Sequence, residues 1–122
     1  MTKRTKRLNS LLKEVLSEVI RKYVRDPLVS ELMTITEVDI TKDLHYAKVF
    51  VSVMGSELER TNTVNALNQA AGFISVKASK QVVMRHFPEL TFKLDTSVDK
   101  HMKIDSLLKQ IEKEKELRSS DD

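Results

Sequence analysis

Gln69-Ala70-Ala71-Gly72-Phe73-Ile74 is the stretch on which the reading of this chain turns. Just before it, residues 58–71 carry the apolar positions of a helix, with Leu58, Val64, Leu67 and Ala71. Gly72 follows at once, and glycine costs about 1 kcal/mol in a helix relative to alanine, so a kink or an end is expected there. A second helical stretch is then expected over 73–87, with Phe73, Ile74, Val76, Ala78, Val82 and Val83 buried. Pro88 ends it, since proline lacks the N–H that a helix needs. Two helices meeting with no loop between them make a helix–kink–helix unit. Ala70 and Gly72 are assigned to the kink, Gly72 because glycine permits φ values that other residues resist and lets two helices meet tightly.

Moving outward toward the N-terminus, Tyr46 to Val53 alternates, with Ala47, Val49, Val51 and Val53 on one face of a strand. Before it stands a β-branched run, Met33 to Ile40, whose alternation slips near Glu37, as a bulge would cause. Thr41-Lys42-Asp43-Leu44 reads as the turn of an antiparallel hairpin. Earlier still, Leu8, Leu11, Leu12, Val15, Leu16, Val19, Ile20, Tyr23 and Val24 recur every three or four residues, the stripe of an amphipathic helix. Pro27 closes that helix. Toward the C-terminus, Leu90, Phe92 and Leu94 alternate in a third strand. Thr96 or Ser97 can cap a last helix with Ile104, Leu107, Leu108 and Ile111 as its stripe. The order is α-β-β-α-kink-α-β with an added C-terminal helix: an α+β layer of helices on a three-stranded sheet. One domain over 1–112 is expected, followed by a polar, disordered tail over 113–122.

Composition narrows the function. The 122 residues include no Cys, so disulfides, thiolate metal sites and Cys nucleophiles are excluded. The three His are scattered, and no metal-ligand spacing exists. Two glycines cannot build a phosphate-cradling Gly-rich loop, and no Ser sits in a nucleophile elbow, so no catalytic residue is assigned. No apolar run approaches the roughly 20 residues of a membrane span. The N-terminus is basic, yet no secretory apolar block follows, so a cytosolic protein is expected. Only 5% of residues are aromatic, so the core must be aliphatic, and Tyr46, Phe50 and Phe92 are placed in it.

Charge is unevenly spread over a net +3. Residues 1–25 carry +6, residues 26–72 carry −4, residues 73–87 carry +3 and residues 88–122 carry −2. A fold that joins the two positive segments presents a basic face to a polyanion. Lys3, Arg4, Lys6, Arg7, Arg21, Lys22 and Arg25 are therefore candidate contacts to RNA phosphates. Lys77, Lys80 and Arg85 recur at helical spacing and would extend that face beyond the kink.

The element order resembles a type II KH domain. A typical KH domain clamps nucleic-acid backbone with a GxxG loop between two helices. With only Gly55 and Gly72, this chain has no GxxG. An Ala-x-Gly kink in its place resembles the ribosome-binding factor A family. Arg25-Asp26-Pro27 is similar to the family's helix exit, and Thr41 to Val51 to its hairpin, with the core Thr-x-Asp-Leu-x-Tyr-Ala-x-Val. Pro88-Glu89-Leu90-Thr91-Phe92 matches the third strand, and Ile104-Asp105-Ser106-Leu107-Leu108 the closing helix. The resemblance spans about residues 5–111. It implies a non-enzymatic assembly factor without cofactor that binds the free small (30S) ribosomal subunit. It further implies action on the 16S rRNA late in maturation, and support of growth in the cold. The run from Lys77 to His86 is less basic than in many relatives, which shifts weight to the N-terminal cluster. A monomer with no small-molecule substrate is expected. The rival reading is a protein-interaction module without RNA contact, docking a partner through the first or last helix.

Overall fold

The structure, a computed structural model, describes residues 3–24, 29 and 33–97. Its elements are α1 (Lys3–Tyr23), β1 (Met33–Ile40), β2 (Tyr46–Val53), α2 (Glu57–Gln69), α3 (Ala71–Ser79) and β3 (Glu89–Leu94). The sheet order is β1-β2-β3, with β1 antiparallel and β3 parallel to β2. This is the KH-like α+β architecture expected from the element order. The C-terminal helix and the tail lie outside the described residues, as do Arg25 and Pro27.

The three helices among the described residues pack on one face of the sheet. α1 lies on β1 and α3, while α2 lies on β2 and β3. The core is aliphatic around Phe92, with Leu12, Leu16, Val19, Ile20, Val49, Val51, Leu67 and Ile74 almost wholly buried. Full burial of each such side chain stabilises by roughly 1.5–3 kcal/mol. The slip in β1 is a bulge: Ile35 pairs with Val51 and Glu37 with Phe50, leaving Thr36 extra. The bulge changes the parity of β1, so Ile35, Val38 and Ile40 all reach the core. Thr36 is not idle. Its hydroxyl donates to Asp95 Oδ2 at 2.6 Å, tying the bulge to the end of β3 across the sheet.

Both outer strands are met by an asparagine from a helix. Ile40 N–H donates to Asn9 Oδ1 on α1 at 2.9 Å. On the other edge Asn68 of α2 accepts from Phe92 N–H at 2.8 Å and donates to Phe92 C=O at 3.0 Å. These side chains satisfy edge groups that would otherwise face water or another strand.

Three expectations are corrected. The second helix of the unit ends at Ser79, not at Phe87. Residues 80–87 form an irregular crossing that returns the chain to the sheet end where Glu89 pairs with Tyr46. The helix tightens at its end, where Gln81 N–H donates to Ala78 C=O three residues back at 2.9 Å, and the chain leaves the helical path there. Consequently Val83 is fully exposed, and Val76 and Phe73 are about half exposed, while Ile74, Ala78 and Val82 are buried. Leu58, expected in the helix stripe, is 70% exposed.

The second correction concerns Gly72. The break between α2 and α3 is made by Ala70 alone, at φ −88° and ψ 0°. Gly72 sits inside α3, and a Cβ there would meet nothing within 4 Å. Its assigned role in close helix packing is not supported. The glycine with conformational work to do is Gly55, at φ +134°.

The third concerns the aromatics: Phe92 is core and Phe50 half-buried, but Tyr46 is 56% exposed on the face of the sheet that carries no described helix.

Candidate nucleic-acid interface

The N-terminal basic segment is helical from Lys3 onward, so its charges have fixed directions. Arg4, Arg7, Leu8 and Leu11 follow the i, i+3, i+4, i+7 spacing of one helix face. They form one wall of a groove of about 630 Å³. The second wall is the β1–β2 turn, Asp43 to His45, and the third is the irregular crossing from Val83 to His86. Arg85 thus joins Arg4 and Arg7 in one place, although it does so from the crossing rather than from a helix face. The apolar part of the lining is Leu8, Leu11, Leu44, Val83 and Met84.

The turn is locked by hydrogen bonds. Thr41 Oγ1 donates to Asp43 Oδ1 at 2.5 Å, and His45 N–H donates to the same oxygen at 3.1 Å. These bonds, with the Thr41 hydroxyl foremost, hold the Asp43 carboxyl below its ordinary pKa. Leu44 N–H donates to Thr41 C=O at 2.9 Å. The result places Leu44 at φ +64°, a left-handed conformation that costs a residue with a branched side chain roughly 1–2 kcal/mol.

A second basic place lies at the other end of α1. Lys77 Nζ stands 4.8 Å from the centre of the Tyr23 ring and 5.7 Å from that of Phe73; Lys22 Nζ is 5.9 Å from the Tyr23 ring. The ammonium groups are attracted to the ring faces, and two part-exposed aromatic rings stand beside the kink. Lys22 and Arg4 are about five turns apart on α1, hence on one stripe with about 27 Å between them. Glu18 falls about 40° from that stripe and Glu14 about 80° from it, so acidic groups stand between the two basic places, which are separate patches and not a continuous band.

The remaining candidates scatter. Arg21 turns toward the start of β1, where it lines a small cleft with Met33, Thr34 and Ile35. Lys3 and Lys6 are exposed on α1. Lys80 occupies the C-cap of α3. Lys77, Lys80 and Arg85 therefore do not share a helix face, because α3 ends before Lys80; Lys77 and Arg85 serve different patches. Sequence reasoning did not single out the apolar lining of the groove. The positive φ of Leu44 and the exposure of Val83 depend on the tertiary path, and neither leaves a sequence signal beyond the Asp-Leu pair of the turn. Among the described residues no group of three or more His, Asp or Glu side chains gathers as a metal site would require, and no helix is long and apolar enough to cross a membrane.

Comparison with known proteins is concordant along nearly the whole chain. The family model "Ribosome-binding factor A" matches residues 4–108. Ribosome-binding factor A of Protochlamydia amoebophila is 64% identical over 118 residues, covering 97% of this chain and 90% of that protein. The solution structure of the Thermotoga maritima protein described as a putative ribosome binding factor A superposes with a TM-score of 0.68 at 35% identity, over 75% of this chain and 86% of the other. A Thermus thermophilus ribosome binding factor A homology model, as fitted into the cryo-EM map of a 30S complex, superposes with a TM-score of 0.60 at 26% identity, over 72% and 91% of the two chains. With the same fold, and with a family match that runs through α1, the hairpin, the kink and β3, this chain belongs to the ribosome-binding factor A family.

Proposed function

We propose that this protein binds the free small (30S) ribosomal subunit through its 16S rRNA, as a cytoplasmic, monomeric and non-enzymatic factor of late subunit maturation. In this reading it aids rRNA processing and supports growth in the cold. The observation that carries the reading is the convergence of Arg4, Arg7 and Arg85 on one groove from two distant parts of the chain. Guanidinium groups pair with phosphate oxygens in a bidentate fork, so three of them at one mouth favour a polyanion. Lys22 and Lys77 supply a second contact beside the kink, and Lys3, Lys6, Lys80, Arg21 and Arg25 contribute longer-range attraction. The Thermus thermophilus relative fitted into the map of a 30S complex supports the choice of partner.

The test is sedimentation of the full chain with lysate ribosomes on a low-salt density gradient. The protein is expected with free small subunits and not with joined ribosomes. The Arg4→Gln/Arg7→Gln variant is expected to fold normally and bind at least about tenfold more weakly at moderate salt. Removing two phosphate contacts should also flatten the dependence of log affinity on log salt by one to two units, at about 0.7–0.9 per contact. A variant that sediments like the parent would refute the role given to the groove. A second reading rests on Met54 and Leu58, which are both more than two-thirds exposed at the β2–α2 junction. If these dock a protein partner, binding survives nuclease and high salt, and Leu58→Glu abolishes it.

A further inference from the structure

The groove between α1, the β1–β2 turn and the crossing to β3 has a composition that phosphate contact alone does not explain. A surface that only tracks a backbone needs cations and no apolar lining. Here Leu11, Leu44 and Met84 line the same groove as Arg4, Arg7 and Arg85. Leu44 is held there in a left-handed conformation that asparagine or glycine would adopt more cheaply. Val83, fully exposed, also lines the groove, as do His45 and His86. The one carboxylate in the lining, Asp43, is engaged by Thr41 Oγ1 and His45 N–H within its own turn. The volume of about 630 Å³ falls within the range of small-molecule sites.

We propose that this groove holds an unpaired RNA nucleotide, its base on Leu11, Leu44 and Met84 and its flanking phosphates on Arg4, Arg7 and Arg85. The inference rests on the RNA-binding reading above and adds to it the state of the RNA: a splayed base rather than a stem. A base stacked in a duplex shows only its edges, whereas a base turned out of the stack exposes the apolar face that such a lining receives. Three guanidiniums in the groove favour this occupant over an acidic peptide, whose carboxylates would find the cations but whose side chains would leave the apolar lining uncovered. The site is separate from the aromatic and lysine cluster at the kink, which lies toward the other end of α1.

The test uses the full chain and fluorescence anisotropy with three probes: an oligoadenylate of about ten nucleotides, an abasic strand of equal length, and oligoglutamate. The oligoadenylate is expected to bind about tenfold more tightly than the abasic strand, which has no apolar base face to bury. The Leu11→Ser/Val83→Ser variant, both positions being exposed and its melting temperature serving as the fold control, is expected to erase most of that difference. Arg4→Gln/Arg7→Gln is expected to weaken both strands equally. Equal affinity for the two strands overturns the proposal, as does a preference that survives the Leu11/Val83 change. Tighter binding of oligoglutamate also overturns it and assigns the groove to an acidic protein segment. Co-sedimentation separates the two readings. A protein that travels with small subunits but shows no base preference loses only this inference; one that prefers bases but never meets the subunit keeps the groove and loses the subunit.

Discussion

Two glycines and one asparagine show how far single residues decide this fold. Gly55 holds φ +134°, and a Cβ there would stand 2.6 Å from Glu59 Oε2. Glu59 is also the partner of Ser56 in the cap of α2: Ser56 Oγ accepts from Glu59 N–H and donates to Glu59 Oε1, both at 3.2 Å. Gly55→Ala is therefore expected to cost about 1–3 kcal/mol, from the backbone conformation and a displaced cap together. Gly72→Ala should instead raise stability by up to about 1 kcal/mol, since the site is helical and open. Paired urea melts check both signs. The sequence could not separate these glycines, because what matters is the φ of one and the empty space around the other. Asn68 is legible only in three dimensions as well. Its replacement by Ala leaves the Phe92 N–H and C=O without their partner and is expected to cost about 1–3 kcal/mol, readable as faster hydrogen exchange at Phe92.

Elements were legible where period and punctuation agreed. The stripe of α1 and the alternation of β2 follow from residue spacing, and the bulge was visible as a slip in β1. The end of α3 was not, because residues 80–87 hold no glycine or proline and Val82, Val83 and Met84 continue a helical spacing. The chain instead tightens at Gln81 and turns back to the sheet, where Glu89 pairs with Tyr46. Strand ends also carry the pH response. Asp95 is held below its ordinary pKa by hydrogen bonds from the Ser97 hydroxyl, the Thr36 hydroxyl and the Ser97 N–H, in that order. Asp43 is lowered in the turn, by Thr41 first. A carboxyl lowered by folding stabilises the native state at pH values above its unfolded pKa. That contribution disappears as pH falls through the folded value. Stability is thus expected to be level near neutrality and to decline below about pH 4. In the Asp43→Asn/Asp95→Asn variant this part of the decline should be absent from urea midpoints measured across the acid range.

At the scale of the molecule, charge segregation along the sequence led to the expectation of one basic face; the fold sets Arg85 in one groove with Arg4 and Arg7, and Lys77 beside Tyr23. What composition could not show is that the two positive segments meet twice, at two places, with Glu14 and Glu18 along the helix between them. A stiff helix with a cationic patch near each end behaves as a caliper. For a polyanion whose phosphates stand about 27 Å apart, closing the second contact is intramolecular and proceeds at a high effective concentration. For one whose phosphates stand closer or farther, the second jaw stays open and the complex is only as long-lived as a single patch allows. Under the RNA-binding role proposed above, residence time would then measure the geometry of the RNA: of two folded forms with the same sequence and charge, the one that fits the span would be held, and the other let go.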